Sequence, residues 1–143
     1  VRQIRIHGDY HLGQTLKTAG GFTLIDFEGE PAKPLAERRR KQCALKDVAG
    51  MLRSLDYAEA TVAAGHAVPA ETGRVLRTAF LDGYYADPRL ATFLPPAREA
   101  GADLLSLFEL EKTLYEIEYE LNNRPDWLHI PLGAVRRYLE APA

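Results

Sequence analysis

An acid, two imidazoles and an amide crowd into eight residues near the start of the chain: His7-Gly8-Asp9-Tyr10-His11-Leu12-Gly13-Gln14. A loop held between strands is a good place for a catalytic base, and Asp9 has the chemistry for one. Taken alone, Asp9 fits equally a turn residue whose carboxylate takes backbone N–H groups. Twelve residues after Gln14 comes Asp26, at the end of an apolar, β-branched run. A carboxylate and an amide oxygen are hard ligands that suit Mg2+, which fills its shell with water and phosphate oxygens. His7 and His11 read as braces of the loop. His66 and His129 have no partners at ligand spacing. Glu28 divides between a contact to a second metal and a solvated loop residue.

These residues need strands to hold them. Val1 to Ile6 alternates apolar and polar residues, which predicts a first short strand. Thr15 to Lys17 and Phe22 to Phe27 predict two more, with Ala19-Gly20-Gly21 as the turn. Gly29 to Ala44 reads as a loop; its Arg38-Arg39-Arg40 run reads as an exposed, hydrated cluster. A helix is expected from Leu45 to Gly65, with Val48, Met51, Leu52 and Leu55 inside. Asp47, near its start, fits stabilisation of the helix N-terminus. A second helix runs from Pro69 to Asp87-Pro88, its face carried by Val75, Leu76, Ala79, Phe80 and Tyr84. After a break at Pro95-Pro96 come a long helix, Asp103 to Asn122, and a short one, Ile130 to Leu139. Between them Trp127 is expected to pack the turn onto the core.

The long helix carries two stripes at about 100° per residue. Leu107, Leu110, Leu114, Ile117 and Leu121 form the expected core stripe. Phe108, Lys112, Tyr115 and Tyr119 lie nearly opposite. Aromatic rings stack on sugar C–H faces, and Lys and Tyr heads reach hydroxyls. The alternative is that both stripes are buried between layers. Glu111 and Glu118 flank the second stripe as a solvated edge.

Three short strands followed by four or so helices make an α+β, mainly helical chain, the helical half of a two-lobed fold. The 143 residues suit one domain, 1–143, and are too few for two. A net charge of −2 leaves no footprint for nucleic acid, and no apolar run approaches a membrane span. The single cysteine, Cys43, has no internal partner and fits a reducing compartment. A start inside a strand pattern, without Met, gives the expectation of a piece cut from a longer protein.

The pair His-Gly-Asp-x-His-x-x-Gln and Ile-Asp-Phe-Glu resembles the catalytic loop and metal motif of aminoglycoside-phosphotransferase-like kinases, small-molecule relatives of protein kinases. Longer strings resemble the maltokinases, which occur alone or fused behind trehalose synthase. They are Ile25 to Pro31, Pro34 to Arg40, Asp47 to Ser54 and Tyr119 to Trp127. The resemblance runs over essentially the whole chain and matches the C-terminal lobe of that protein-kinase-like fold. It implies Mg2+-dependent phosphoryl transfer from ATP to the anomeric hydroxyl of maltose, giving maltose 1-phosphate for glycogen synthesis in the cytoplasm. Asp9 would be the base, and Gln14 and Asp26 the metal ligands. Lys112, Tyr115 and Tyr119 would bind the sugar. Asp47 would brace the catalytic loop from behind, with His7 and His11 holding it.

The alternatives are another sugar or aminoglycoside kinase of the same superfamily, or a non-catalytic module fused to trehalose synthase. No Gly-x-x-x-x-Gly-Lys-Ser/Thr or Gly-x-Gly-x-x-Gly occurs. In such kinases the N-terminal lobe supplies the phosphate loop and the nucleotide hinge, so this stretch alone is expected to be inactive.

Overall fold

The computed structural model describes residues 1–95 and 97–140. One hairpin near the N-terminus pairs β1 (Thr15–Thr18) antiparallel with β2 (Gly21–Leu24), Thr15 opposite Leu24 and Thr18 opposite Gly21. Gly21 enters β2 at φ 131°, open only to glycine. The first expected strand is a correction: Val1 to Ile6 contributes a single antiparallel bridge, Ile4 to Gln42. The bonds run both ways at 2.9 and 2.8 Å, but the segment facing Ile4 is the approach to a helix, too short to make a ladder. The last strand also stops early, at Leu24, because Asp26 sits at φ 60° and turns the chain out of the sheet.

Within the expected loop, Pro34 starts a one-turn helix, α1 (Leu35–Arg38). The four longer helices are α2 (Leu45–Ala63), α3 (Thr72–Tyr85), α4 (Ala102–Asn123) and α5 (His129–Glu140). Short 3-10 turns, Pro88–Thr92, Arg98–Gly101 and Pro125–Trp127, join them. In the Pro95-Pro96 break, Pro96 lies outside the described residues. No helix is long and apolar enough to cross a membrane among the described residues.

Helix α2 is the axis of the lobe. Its Leu45, Val48, Ala49 and Leu52 form the core with Cys43, Ala44, Leu81, Leu94 and Leu105. Helices α3 and α4 flank it, and α5 packs against α4. Trp127 stacks on Tyr57 of α2, with ring centroids 6.2 Å apart.

Two helix faces depart from the expectation, for one reason. On α4, Leu107, Leu114 and Leu121 are 57, 55 and 55% exposed, while Leu105, Thr113, Glu116 and Glu120 are buried. On α3, Val75 and Leu76 are exposed and Leu81 is buried, while Phe80 and Tyr84 of the expected face pack against the core. In both cases charged pairs occupy the interface that apolar residues were expected to fill. Arg53 of α2, 3% exposed, donates to Glu116 at 2.8 and 2.9 Å and to Asp56 at 2.5 Å. Glu120 accepts from the Tyr57 hydroxyl at 2.9 Å and from Arg124 at 2.7 and 3.0 Å. Arg77 of α3 meets Glu109 of α4 in a two-bond fork at 2.7 and 3.0 Å. Buried charges in proteins are found paired in this way, and hydrophobic periodicity does not register them.

Candidate active site

One face of α2 builds the loop around Asp9. Asp47, Gly50 and Ser54 recur at three- and four-residue spacing and so point the same way. The Asp47 carboxylate accepts from the His7 N–H at 2.7 Å and the Gly8 N–H at 2.9 Å. Burial pushes its pKa up, and these two donors oppose the rise. At Gly50 an added Cβ would sit 2.7 Å from the Tyr10 carbonyl oxygen. The Ser54 hydroxyl accepts from the Leu12 N–H at 3.1 Å and donates to the Met51 carbonyl at 2.8 Å. A carboxylate, a missing side chain and a hydroxyl thus seat three successive stretches of the loop on one rigid helix.

The two histidines act inside the loop. His7 is buried, and its Nδ1 accepts from the Asp9 N–H at 3.3 Å. The proton therefore sits on Nε2, which donates to the Ile25 carbonyl at 2.8 Å. The ring packs on Phe27 with centroids 4.8 Å apart. His7 thus ties the backbone of Asp9 to the segment that carries Asp26. His11 accepts at Nδ1 from the Gly13 N–H at 3.0 Å and turns Nε2 towards Asp9 Oδ2, 3.7 Å away. Gly8 and Gly29, at φ 86° and 78°, let the two segments approach. A Cβ on Gly8 would lie 3.3 Å from the Gly29 Cα. Arg38 lies over Gly29 and donates to the Glu28 carbonyl at 3.3 Å; Arg39 and Arg40 are exposed.

Gln14 and Asp26 meet at the surface, where Gln14 Nε2 donates to Asp26 Oδ2 at 3.1 Å. The Asp26 backbone is in the left-handed region, an uncommon conformation for a non-glycine residue and one often found at functional sites. An amide and a carboxylate side by side fit Mg2+, which takes few protein ligands and keeps water and phosphate oxygens. No cluster of three or more His, Cys, Asp and Glu ligands exists among the described residues. Gln14 and Asp26 are the side chains that would hold a divalent cation here.

Asp9 opens onto a cavity of about 290 Å3 that Glu30, Lys46, Phe108, Lys112 and Tyr115 also line. Lys112 Nζ lies 5.1 Å above the Tyr115 ring, and Lys46 Nζ 5.3 Å above Phe108. Lys46 also pairs with Glu111 at 3.3 Å. Burial raises the Tyr115 phenol pKa, and the Glu30 and Asp9 carboxylates add to the rise. Of the three sugar-binding residues expected from sequence, Lys112 and Tyr115 line this cavity. Tyr119 does not line it; it stacks on Tyr115 at 6.4 Å, with Arg124 5.4 Å from its own ring.

Gly50, Ser54 and Glu30 were not singled out from sequence. A lone glycine within a helical pattern was the available signal for Gly50. An Ala there should gain helix propensity in isolation, yet here it must displace the Tyr10 carbonyl. Gly50→Ala is expected to cost about 1–3 kcal/mol of stability by overpacking and to lower kcat together with it. Thermal unfolding and steady-state kinetics on the full-length protein check both.

Known proteins are similar to most of the chain. The chain is 36% identical over 139 residues to a glucosamine kinase of Mycolicibacterium smegmatis (strain ATCC 700084 / mc(2)155), covering 94% of the chain and 34% of the relative. It is 31% identical over 134 residues to a glucosamine kinase of Streptacidiphilus jiangxiensis, covering 90% of the chain and 30% of the relative. A glucosamine kinase crystal structure superposes with a TM-score of 0.79 at 27% identity, over 96% of this chain and 35% of that one. A glucosamine kinase in complex with glucosamine, ADP and inorganic phosphate gives 0.77 at 28% identity, with the same coverage.

The chain is mainly helical with one two-stranded hairpin and matches part of a glucosamine kinase structure. It spans about a third of the length of these relatives. No family model matches it.

Proposed function

We propose that this chain is the sugar-side and catalytic part of an ATP-dependent sugar kinase whose acceptor is an amino sugar. The observation that carries the reading is the position of Asp9. It is fixed through its backbone by His7, faces His11, and opens onto a cavity lined by Lys112 and Tyr115. The glucosamine kinase relatives support an amino-sugar acceptor more directly than they support maltose.

In this reading Asp9 accepts the proton of the attacking sugar hydroxyl. The hydroxyl oxygen bonds to the γ-phosphorus of ATP as the bond to the ADP oxygen breaks. Alignment and charge neutralisation supply most of the acceleration in such transfers. Tyr115 and Lys112 hold the ring against the cavity wall. Gln14 and Asp26 are the residues that would hold Mg2+, which when bound offsets phosphate charge. Asp47 and α2 keep the loop rigid, so that little reorganisation remains at the moment of transfer.

The test is a comparison of glucosamine, glucose and maltose as acceptors for the full-length protein. The highest kcat/KM is expected with glucosamine. A clear preference for maltose would return the substrate assignment to the maltokinase resemblance, with the catalytic loop assignment intact.

A further inference from the structure

Besides Asp9, three carboxylates line the cavity: Asp47, which seats the loop, Glu111, which pairs with Lys46, and Glu30, to which the reaction gives no role. The Glu30 side chain is 12% exposed and lines the cavity. The Tyr115 hydroxyl lies within its reach. Its one ion-pair partner among the described residues is Lys33, with Nζ 3.4 Å from Glu30 Oε2. That is a loose contact for a carboxylate so nearly withdrawn from water, since tight charged bonds close to about 2.7–2.9 Å. The same Lys33 Nζ also lies 3.8 Å from Glu37, whose side chain is 46% exposed. Lys33 therefore stands between an inner acid facing the cavity and an outer acid facing solvent.

We propose that Glu30 is the specificity residue that receives the ammonium group of an amino-sugar substrate, with Lys33 as its stand-in while the cavity is empty. The inference rests on the sugar-kinase reading of the site. A ligand ammonium at Glu30 leaves Lys33 with Glu37, so the exchange strands no charge. A neutral sugar offers no cation to take the place of Lys33. Discrimination then arises from a largely covered carboxylate that is properly paired by one ligand and not by the other, the kind of difference that separates close analogues well. The neighbouring cations do not compete for the role. Lys46 is engaged with Glu111 and Phe108, and Lys112 with the Tyr115 ring.

Glu30→Gln keeps the shape and removes the charge. In the full-length protein it is expected to raise KM for glucosamine about ten- to hundredfold, the range of a lost charged hydrogen bond. The kcat should change little, and glucose, followed as substrate or as competitive inhibitor, should bind as before. Lys33→Met, which frees Glu30, is expected to lower KM for glucosamine several-fold. Equal effects of Glu30→Gln on both sugars, or none, would overturn the proposal while leaving the kinase reading standing. An unchanged or raised KM for glucosamine in Lys33→Met would overturn the stand-in. Failure of the wild-type protein to phosphorylate either sugar would instead remove the reading on which the inference rests.

Discussion

Asp9→Asn in the full-length protein is expected to lower kcat for sugar phosphorylation by roughly 10^2 to 10^4-fold, the usual contribution of a positioned general base. The KM for the sugar should change far less. Asn keeps the size of Asp9 and leaves the bond from its backbone N–H to His7 Nδ1 untouched. The loop is held from the backbone by Asp47, Ser54 and His7, so its geometry does not depend on the Asp9 carboxylate. On the proposed reading, what the substitution removes is the proton acceptor at the cavity mouth. A fall in kcat with KM preserved marks a group that acts in the transition state. A rise in KM alone would make Asp9 a binding residue. Steady-state kinetics with circular dichroism as a folding control separates the two.

The second large effect concerns stability. Arg53→Met is expected to destabilise the lobe by about 3–5 kcal/mol, because it leaves the buried Glu116 without the cation that joins α2 to α4, while Asp56 keeps Arg137 at 2.8 Å. Burial already raises the Glu116 pKa above its ordinary 4.5, and Arg53 is the main group holding it down. Without Arg53 the folded protein holds that proton to higher pH than the unfolded chain does. The variant should therefore lose stability as pH rises above about 4.5, the window in which only the folded state keeps the proton. Pairing Arg53→Met with Glu116→Gln removes the stranded charge and should recover much of the loss. Urea unfolding of the single and double variants, at two pH values, reads both effects.

The candidate loop stood out in the sequence because its chemistry is local. His7 to Gln14 declares an acid, two imidazoles and an amide within eight residues, and the hairpin brings Gln14 beside Asp26 through a short turn. Helices α2 to α5 were legible from apolar spacing and from Gly and Pro punctuation. The face of α4 was not, and that of α3 was so only at Phe80 and Tyr84. A leucine every three or four residues marks a stripe but does not say whether that stripe outcompetes a charged pair for the interface. Arg53 with Glu116, and Arg77 with Glu109, are partners 63 and 32 positions apart, and nothing in either local pattern joins them. The strand expected at Val1 to Ile6 failed for a related reason. Alternation describes one edge, while a ladder needs a second, and Gln42 offers a single bridge. Gly50 was hidden because its value lies in a side chain it lacks, opposite the Tyr10 carbonyl forty residues away in sequence.

The most direct measurement is transfer of γ-labelled phosphate from ATP to glucosamine by the full-length protein, with Mg2+ present and again with the metal chelated. Label should appear in the sugar fraction with Mg2+ and fall to background without it, and Asp26→Asn should give the same loss. If ATP binds but its label stays in the nucleotide with glucosamine, glucose and maltose alike, then Asp9, Gln14 and Asp26 are not a sugar phosphorylation site.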